Sequence, residues 1–447
     1  MTALIAFVCV RQIAFRLVEN PWFQNLLTVL CDDLPTLLRT SHNTIRQATI
    51  LEFQRRLQVI QSFIKRAKSK IHLTFDLWSS PNKLALSAVV AHFISDKYRV
   101  ESVLLGLPQV HGAHSGENIA VSVKDVLLRY SLSIKDDILC YVLDNANNND
   151  TCVQTLGREV SWRQKDWKTY RLRCFGHILN LIAQAFIFGA QSELFDTTVE
   201  QYEQDIESGE TSLHELRGPI GKLHYIVSYI RKSPQRIAEF KKGSLRDGVD
   251  PTDLTVRQDN KTRWNSVYRM IRRAIELRAQ ITLFCINYLD KTKTNTPLLA
   301  IHLLTDTEWD VLKHLRDGLI VFDQLTLRLE SHAHDSQYGS MWEVIPSYQR
   351  LHNHLLNLQY QFPLSTTFSE EDYEQFTEDE RPGTHPATEF MCEAVNEAYK
   401  AFMKYYGLVD WSVWYLVGMV MNPSIKWKYL RHAWLGNEDT TQWFHTA

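Results

Sequence analysis

Two aspartates carry the chemistry that this sequence most directly suggests. Asp76 sits inside the apolar run TFDLWSSP, and Asp144 ends the apolar run ILCYVLD. An ionised carboxylate within an apolar strand is costly unless it is paired or binds metal. Carboxylates at strand ends of an α/β sheet lie where such sheets usually place their sites. If the strands bearing these residues are neighbours, both carboxylates fall on one sheet edge and can hold Mg²⁺, a hard ion that prefers oxygen ligands. Metal held there would suit phosphodiester chemistry, with a water or 3′-hydroxyl as nucleophile. A plainer reading stands beside this one: Asp76 pairs with a nearby Arg or Lys, and Asp144 only caps the next helix.

The elements that must position these residues are legible from periodicity. Residues 70–190 carry three short strand-like runs, Ile71–Trp78, Ala85–Ile94 and Val100–Val110, with turns at Pro81-Asn82 and at Ser95-Asp96-Lys97. A helix follows from Gly116 to Tyr130, capped by Ser115, then a strand at Ile138–Leu143 and a helix starting near Asn148. A basic strand, Tyr170–Cys174, leads into an apolar helix that runs to Phe188. Three consecutive strands followed by alternating helices and strands predict a mixed sheet, not a purely doubly wound one.

Around this α/β part the chain reads as all-α. Residues 1–69 form a helical N-terminal region whose long helix, from about Thr44 to Ser69, is capped by Ser41 or Asn43 and carries a basic face. Residues 191–365 form a helical domain, with helices expected at Gly218–Phe240, Arg263–Tyr288 and Glu308–Leu329. Residues 366–386 form an acidic loop. Residues 387–447 form a C-terminal helical segment with one long helix from Ala387 to Tyr406.

Composition narrows the function classes. The 447 residues carry a net charge of -2 and a pI near 6.8, which gives no general support for nucleic-acid binding. Local clusters do: Arg163, Lys165, Lys168, Arg171 and Arg173 form one, and Lys261, Arg263, Arg269, Arg272, Arg273 and Arg278 another. Seven irregularly spaced cysteines without a CxxC fit reduced thiols and no zinc finger of usual spacing. The apolar run Ala3–Val10 is too short to span a bilayer. Cys174 and His177 share a spacing that suits half a zinc site, or buried structural contacts.

Five motifs then occur in order: FDLWSSP at Asp76, HSGEN at His114–Asn118, DNANNND at Asp144–Asp150, RLRCFGHILNL at Arg171–Leu181, and NKTRWNSVYRMIRRA at Asn260–Ala274. The series resembles the catalytic region of hAT transposases, the Activator/hobo group, and its fungal members in particular. The likeness continues through NPSIKWKYLRHAW at Asn422–Trp434. The resemblance implies a ribonuclease H-like mixed sheet interrupted by a large helical insertion domain. It also implies cleavage and strand transfer at transposon DNA ends by two Asp and one Glu with Mg²⁺ or Mn²⁺. Asp76 matches the first Asp and Asp144 the second. Cys174 and His177 match the family's CxxH pair. Arg263 and Trp264 match its Arg-Trp pair, whose Trp stacks on a flipped base; an indole face suits any base. Arg171, Arg173 and Lys261 join Arg263 and Trp264 as the expected DNA contacts.

Two family features are missing from this sequence: the BED-type zinc finger that opens complete members, and the SxxER-like motif that supplies the third carboxylate. The expectation is therefore a chain short at both ends and weak or inactive alone as a transposase. A non-catalytic DNA- or chromatin-binding protein built on the same scaffold is the alternative. Either way the expected setting is the nucleus and the expected partner is DNA. Self-association is an open option, and neither a membrane nor a small-molecule substrate is expected.

Overall fold

The computed structural model describes residues 2–30, 41–80, 82–113, 115–159, 167–189, 218–242, 255–258, 264–287, 303–331, 341–363, 386–424 and 426–434. Of the acidic loop expected at 366–386, all but the last residue lies outside these residues, as do Lys261 and Arg263. The chain divides into two compact units, Met1–Tyr170 and Arg171–Ala447.

The first unit opens with short helices α1 (Thr2–Val10) and α2 (Pro21–Leu30), then the long helix α3 (His42–Lys65). Of the two expected caps for α3, Ser41 serves: its hydroxyl accepts from the Thr44 N–H at 3.2 Å. Next come β1 (Ile71–Ser79), β2 (Ala85–Ile94) and β3 (Val100–Gly106), the helix α4 (Gly116–Arg129), β4 (Ile138–Leu143) and the helix α5 (Asn147–Glu159). These strands lie in the order β3-β2-β1-β4. β1 pairs antiparallel with β2 and parallel with β4, so the sheet is mixed as expected. β3 stops at Gly106 and does not reach Val110. Pro108 has no N–H to give a ladder, and pairing resumes only at an isolated bridge between Leu86 and Gln109.

Alternation along the strands sorts the side chains. Ile71, Leu73 and Phe75 of β1 and Val89, Ala91 and Phe93 of β2 face a core completed by Ile64 of α3, Val123 and Val126 of α4, and Val153 and Leu156 of α5. The even-numbered residues His72, Thr74, Asp76, His92 and Ser102 take the opposite face, which is only half-buried or exposed.

The second unit opens on the short strand β5 (Arg171–Arg173) and is otherwise helical. The helix α6 (Phe175–Phe188) is its apolar centre. The ring of Phe186 is fully buried and lies over Gly318, where a Cβ would stand 2.5 Å from the ring. The expected helix Gly218–Phe240 is two helices, α7 (Gly218–Arg231) and α8 (Pro234–Lys242). Pro234 cannot continue a helix but starts one well. The expected helix Arg263–Tyr288 is also split, into α9 (Trp264–Glu276) and α10 (Arg278–Asn287), with no proline or glycine to mark the break. The helices α11 (Asp306–Ser331), α12 (Val344–Gln361), α13 (Pro386–Tyr406), α14 (Trp414–Val420) and α15 (Lys426–Trp434) complete the unit.

Candidate functional site

The parallel pairing of β1 and β4 makes neighbours of the strand that carries Asp76 and the strand that Asp144 follows. Thr74 is the partner of Val142. The paired register ends there: Asp76 lies two residues further along β1, on the face turned away from the core, and Asp144 lies just past the end of β4 at Leu143. Asp76 is exposed, which removes the desolvation cost that the sequence alone attached to it. No ion pair engages it among the described residues, so the alternative of a simple Arg or Lys partner is not met.

Asp144 is half-buried and leaves β4 through an Asx turn. Its Oδ1 accepts from the Ala146 N–H at 3.0 Å and from the Asn149 side-chain amide at 2.5 Å. The carboxylate therefore organises the start of α5, as the plainer reading expected. The HSGEN and DNANNND motifs meet here. A Cβ on Gly116 would stand 2.4 Å from the Asn148 carbonyl oxygen and 2.6 Å from the Cys152 nitrogen. Only a residue without a side chain lets α4 begin against the backbone of α5. Ser115 caps α4 as expected, accepting from the Asn118 N–H at 3.3 Å.

The same sheet face carries a polar chain that sequence reasoning missed. His92 contacts the Thr74 hydroxyl through Nε2 at 2.9 Å and the Ser102 hydroxyl through Nδ1 at 2.8 Å. His72 is its direct cross-strand partner. Burial holds both imidazoles below their ordinary pKa, and for His72 the neighbouring His92 adds to it. The even spacing of His72, Thr74 and Asp76 was a visible signal that they share a face; the pairing to β2 was not.

In the second unit the structure corrects the expected DNA contacts. Arg171 is 2% exposed and its guanidinium donates to the Leu172 carbonyl; Arg173 is 9% exposed and lies 5.3 Å over the Trp411 ring. Neither is available to a phosphate at the surface. Trp264 is 3% exposed, with its ring against Tyr268 and Phe322 at 6.2 and 6.0 Å, so no open face awaits a base. Of the basic residues on α9, Arg269 and Arg272 are exposed, whereas Arg273 is tied to Glu276. Cys174 and His177 are half-buried at the start of α6. Among the described residues no group of three or more His, Cys, Asp or Glu could hold a metal ion, so neither a zinc set nor a third acid joins the aspartates. Glu389 and Glu393 on α13 are exposed, and Glu397 pairs with Lys400.

Comparison with known proteins gives this arrangement a lineage. The family model for the ZBED1 RNase-like domain matches residues 74–169, and that for the ZBED1 RNase-like helical domain matches residues 172–317. A Zea mays protein named as an AC transposase is 23% identical over 272 residues, which is 60% of this chain and 30% of the relative. The chain is a hAT-family transposase-like protein. A Talaromyces stipitatus protein named as a transcriptional regulator, tpeD, is 25% identical over 64% of this chain and 34% of its own length. The rice (Oryza sativa subsp. japonica) zinc finger BED domain-containing protein RICESLEEPER 2 is 21% identical over 62% of this chain and 34% of its own. The transposase-like chain thus spans about a third of the length of these relatives. Its mixed sheet and helical region fit an RNase H-like fold with a helical insertion. The first match ends at residue 169 and the second begins at residue 172, on either side of the division between the two compact units at Tyr170 and Arg171.

Proposed function

We propose that this transposase-derived chain acts on DNA in the nucleus through a divalent-metal site held by Asp76 and Asp144. The observation that carries this reading is the parallel pairing of β1, which bears Asp76, with β4, which Asp144 directly follows; it supports the two carboxylates lying at one edge of the sheet. The donor set fits Mg²⁺ or Mn²⁺, which commonly use one or two carboxylates, with water and substrate phosphate completing the shell. Bound there, the ion would activate a water or 3′-hydroxyl and stabilise the leaving oxygen of a phosphodiester. Asp76 offers its carboxylate from the middle of a rigid strand. Asp144 offers its own from a turn fixed by hydrogen bonds. DNA as partner is supported by the relatives named as a transposase and as BED zinc finger proteins. No helix among the described residues is long and apolar enough to cross a membrane.

The test is nicking of supercoiled plasmid DNA in Mg²⁺ or Mn²⁺ by the full chain and by Asp76→Asn and Asp144→Asn. Cleavage lost in both variants, with melting temperatures held, supports the reading. Cleavage that persists in both sinks it. A second reading, a DNA- or chromatin-binding protein without catalysis, is favoured by the relative named as a transcriptional regulator and by the lack of a third acid among the described residues. Salt-sensitive DNA binding without any cleavage would select it.

A further inference from the structure

We infer that Asn149 is a positioning residue for the Asp144 carboxylate, and that Gly116 seats it. The inference rests on the two-aspartate reading above. Asn149 lies in the first turn of α5 and is 8% exposed. Its amide nitrogen reaches Asp144 Oδ1 at 2.5 Å, while the Ala146 N–H reaches the same oxygen at 3.0 Å. An ionised carboxylate only accepts, so the amide must turn its NH₂ toward Asp144 and its carbonyl away. Two donors on one oxygen fix the rotation of the carboxylate about both side-chain torsions. Asp76, by contrast, has the strand alone to hold it.

The turn that carries Asn149 is itself held. Its backbone N–H donates to the Ala146 carbonyl at 3.0 Å, closing the turn between Asp144 and α5. From the other side, α4 presses against α5 at Gly116: a Cβ there would meet Asn148, one residue before Asn149, and Thr151 and Cys152, two and three residues after it, at 2.4 to 2.6 Å. Cys152 is fully buried, so α5 has no room to roll away. Asn149 is thereby pinned between a helix contact and a carboxylate, the arrangement in which outer-shell hydrogen bonds orient a metal ligand. Its neighbours Asn147 and Asn148 are exposed.

The experiment measures Mn²⁺ affinity of the full chain by electron paramagnetic resonance, with MnCl₂ as the only added ligand. It compares the parent with Asp144→Asn, Asn149→Ala and Asn149→Ser, and records melting temperatures without metal. The expected result is that Asn149→Ala weakens Mn²⁺ binding about 10- to 100-fold at a temperature where the variant is fully folded. Asn149→Ser, which keeps a donor, is expected to lose less. A merely structural role would lower the melting temperature and leave the affinity of the folded chain unchanged. If Asp144→Asn weakens Mn²⁺ binding but both Asn149 variants bind as the parent does, the positioning role is overturned and the two-aspartate reading stands. If Asp144→Asn itself leaves Mn²⁺ binding unchanged, the two-aspartate reading falls and this role with it.

Discussion

The Tyr415 hydroxyl meets Arg173 twice: it accepts from the backbone N–H at 2.8 Å and donates to the backbone carbonyl at 3.2 Å. One side chain from α14 thus satisfies both main-chain groups of the last residue of β5. Burial pushes the phenol up to about 12, so the hydroxyl keeps its proton across the working pH range. Replacing Tyr415 by Phe removes both bonds from a buried backbone. The expected loss is about 1–3 kcal/mol, read by urea denaturation of the full chain. A stability equal to that of the parent would show that the tyrosine does not anchor β5.

Gly116 should tolerate no side chain. In Gly116→Ala the new methyl group meets backbone atoms, which cannot swing aside as the end of a side chain can. Overpacking of this kind costs about 1–3 kcal/mol. The melting temperature is expected to fall, and far-ultraviolet circular dichroism should report whether α4 and α5 still form. An unchanged melting temperature would mean that α4 and α5 lie further apart than described.

Trp264 is core in this structure. Trp264→Ala is therefore expected to destabilise the chain by about 3–5 kcal/mol, and Trp264→Phe by less, in urea titrations. Tryptophan quenching by acrylamide offers a second check, comparing the parent with Trp264→Phe. A large drop in the accessible fraction on removing Trp264 would mean that its ring is open to solvent and available for stacking.

The His72–His92 pair gives a signed pH dependence. Both imidazoles are held below their ordinary pKa of 6.5 by burial. Below that value the unfolded chain binds more protons than the folded one, so stability falls as acid is added. The contribution is complete above pH 6.5 and is lost as pH drops through the depressed folded values. Melting temperatures between pH 7.5 and 5 are expected to fall less steeply in His72→Gln, His92→Gln and the double variant than in the parent. Equal slopes would assign the acid sensitivity to other groups.

Much of this protein was readable from its residues. Ala85–Ile94 and Ile138–Leu143 are strands at the bounds that their apolar runs set, and Ser115 caps the helix it precedes. Such features are local: the period of the apolar residues and the chemistry of one hydroxyl decide them within a few residues. The in-order motifs also pointed to the hAT lineage before any strand was paired.

The fate of individual side chains was decided elsewhere. That the strand of Asp76 is the neighbour of the strand Asp144 follows depends on the β1–β4 pairing, which joins segments separated by two strands and a helix. Arg171 and Arg173 are expected at a DNA surface from their local basic cluster, and Trp264 from the resemblance to the family's Arg-Trp pair. Their burial depends on Trp411, Phe322 and other residues far along the chain. A residue's type limits which partners it can accept, but the packing of distant elements determines which of them it meets, and so whether it is left facing solvent.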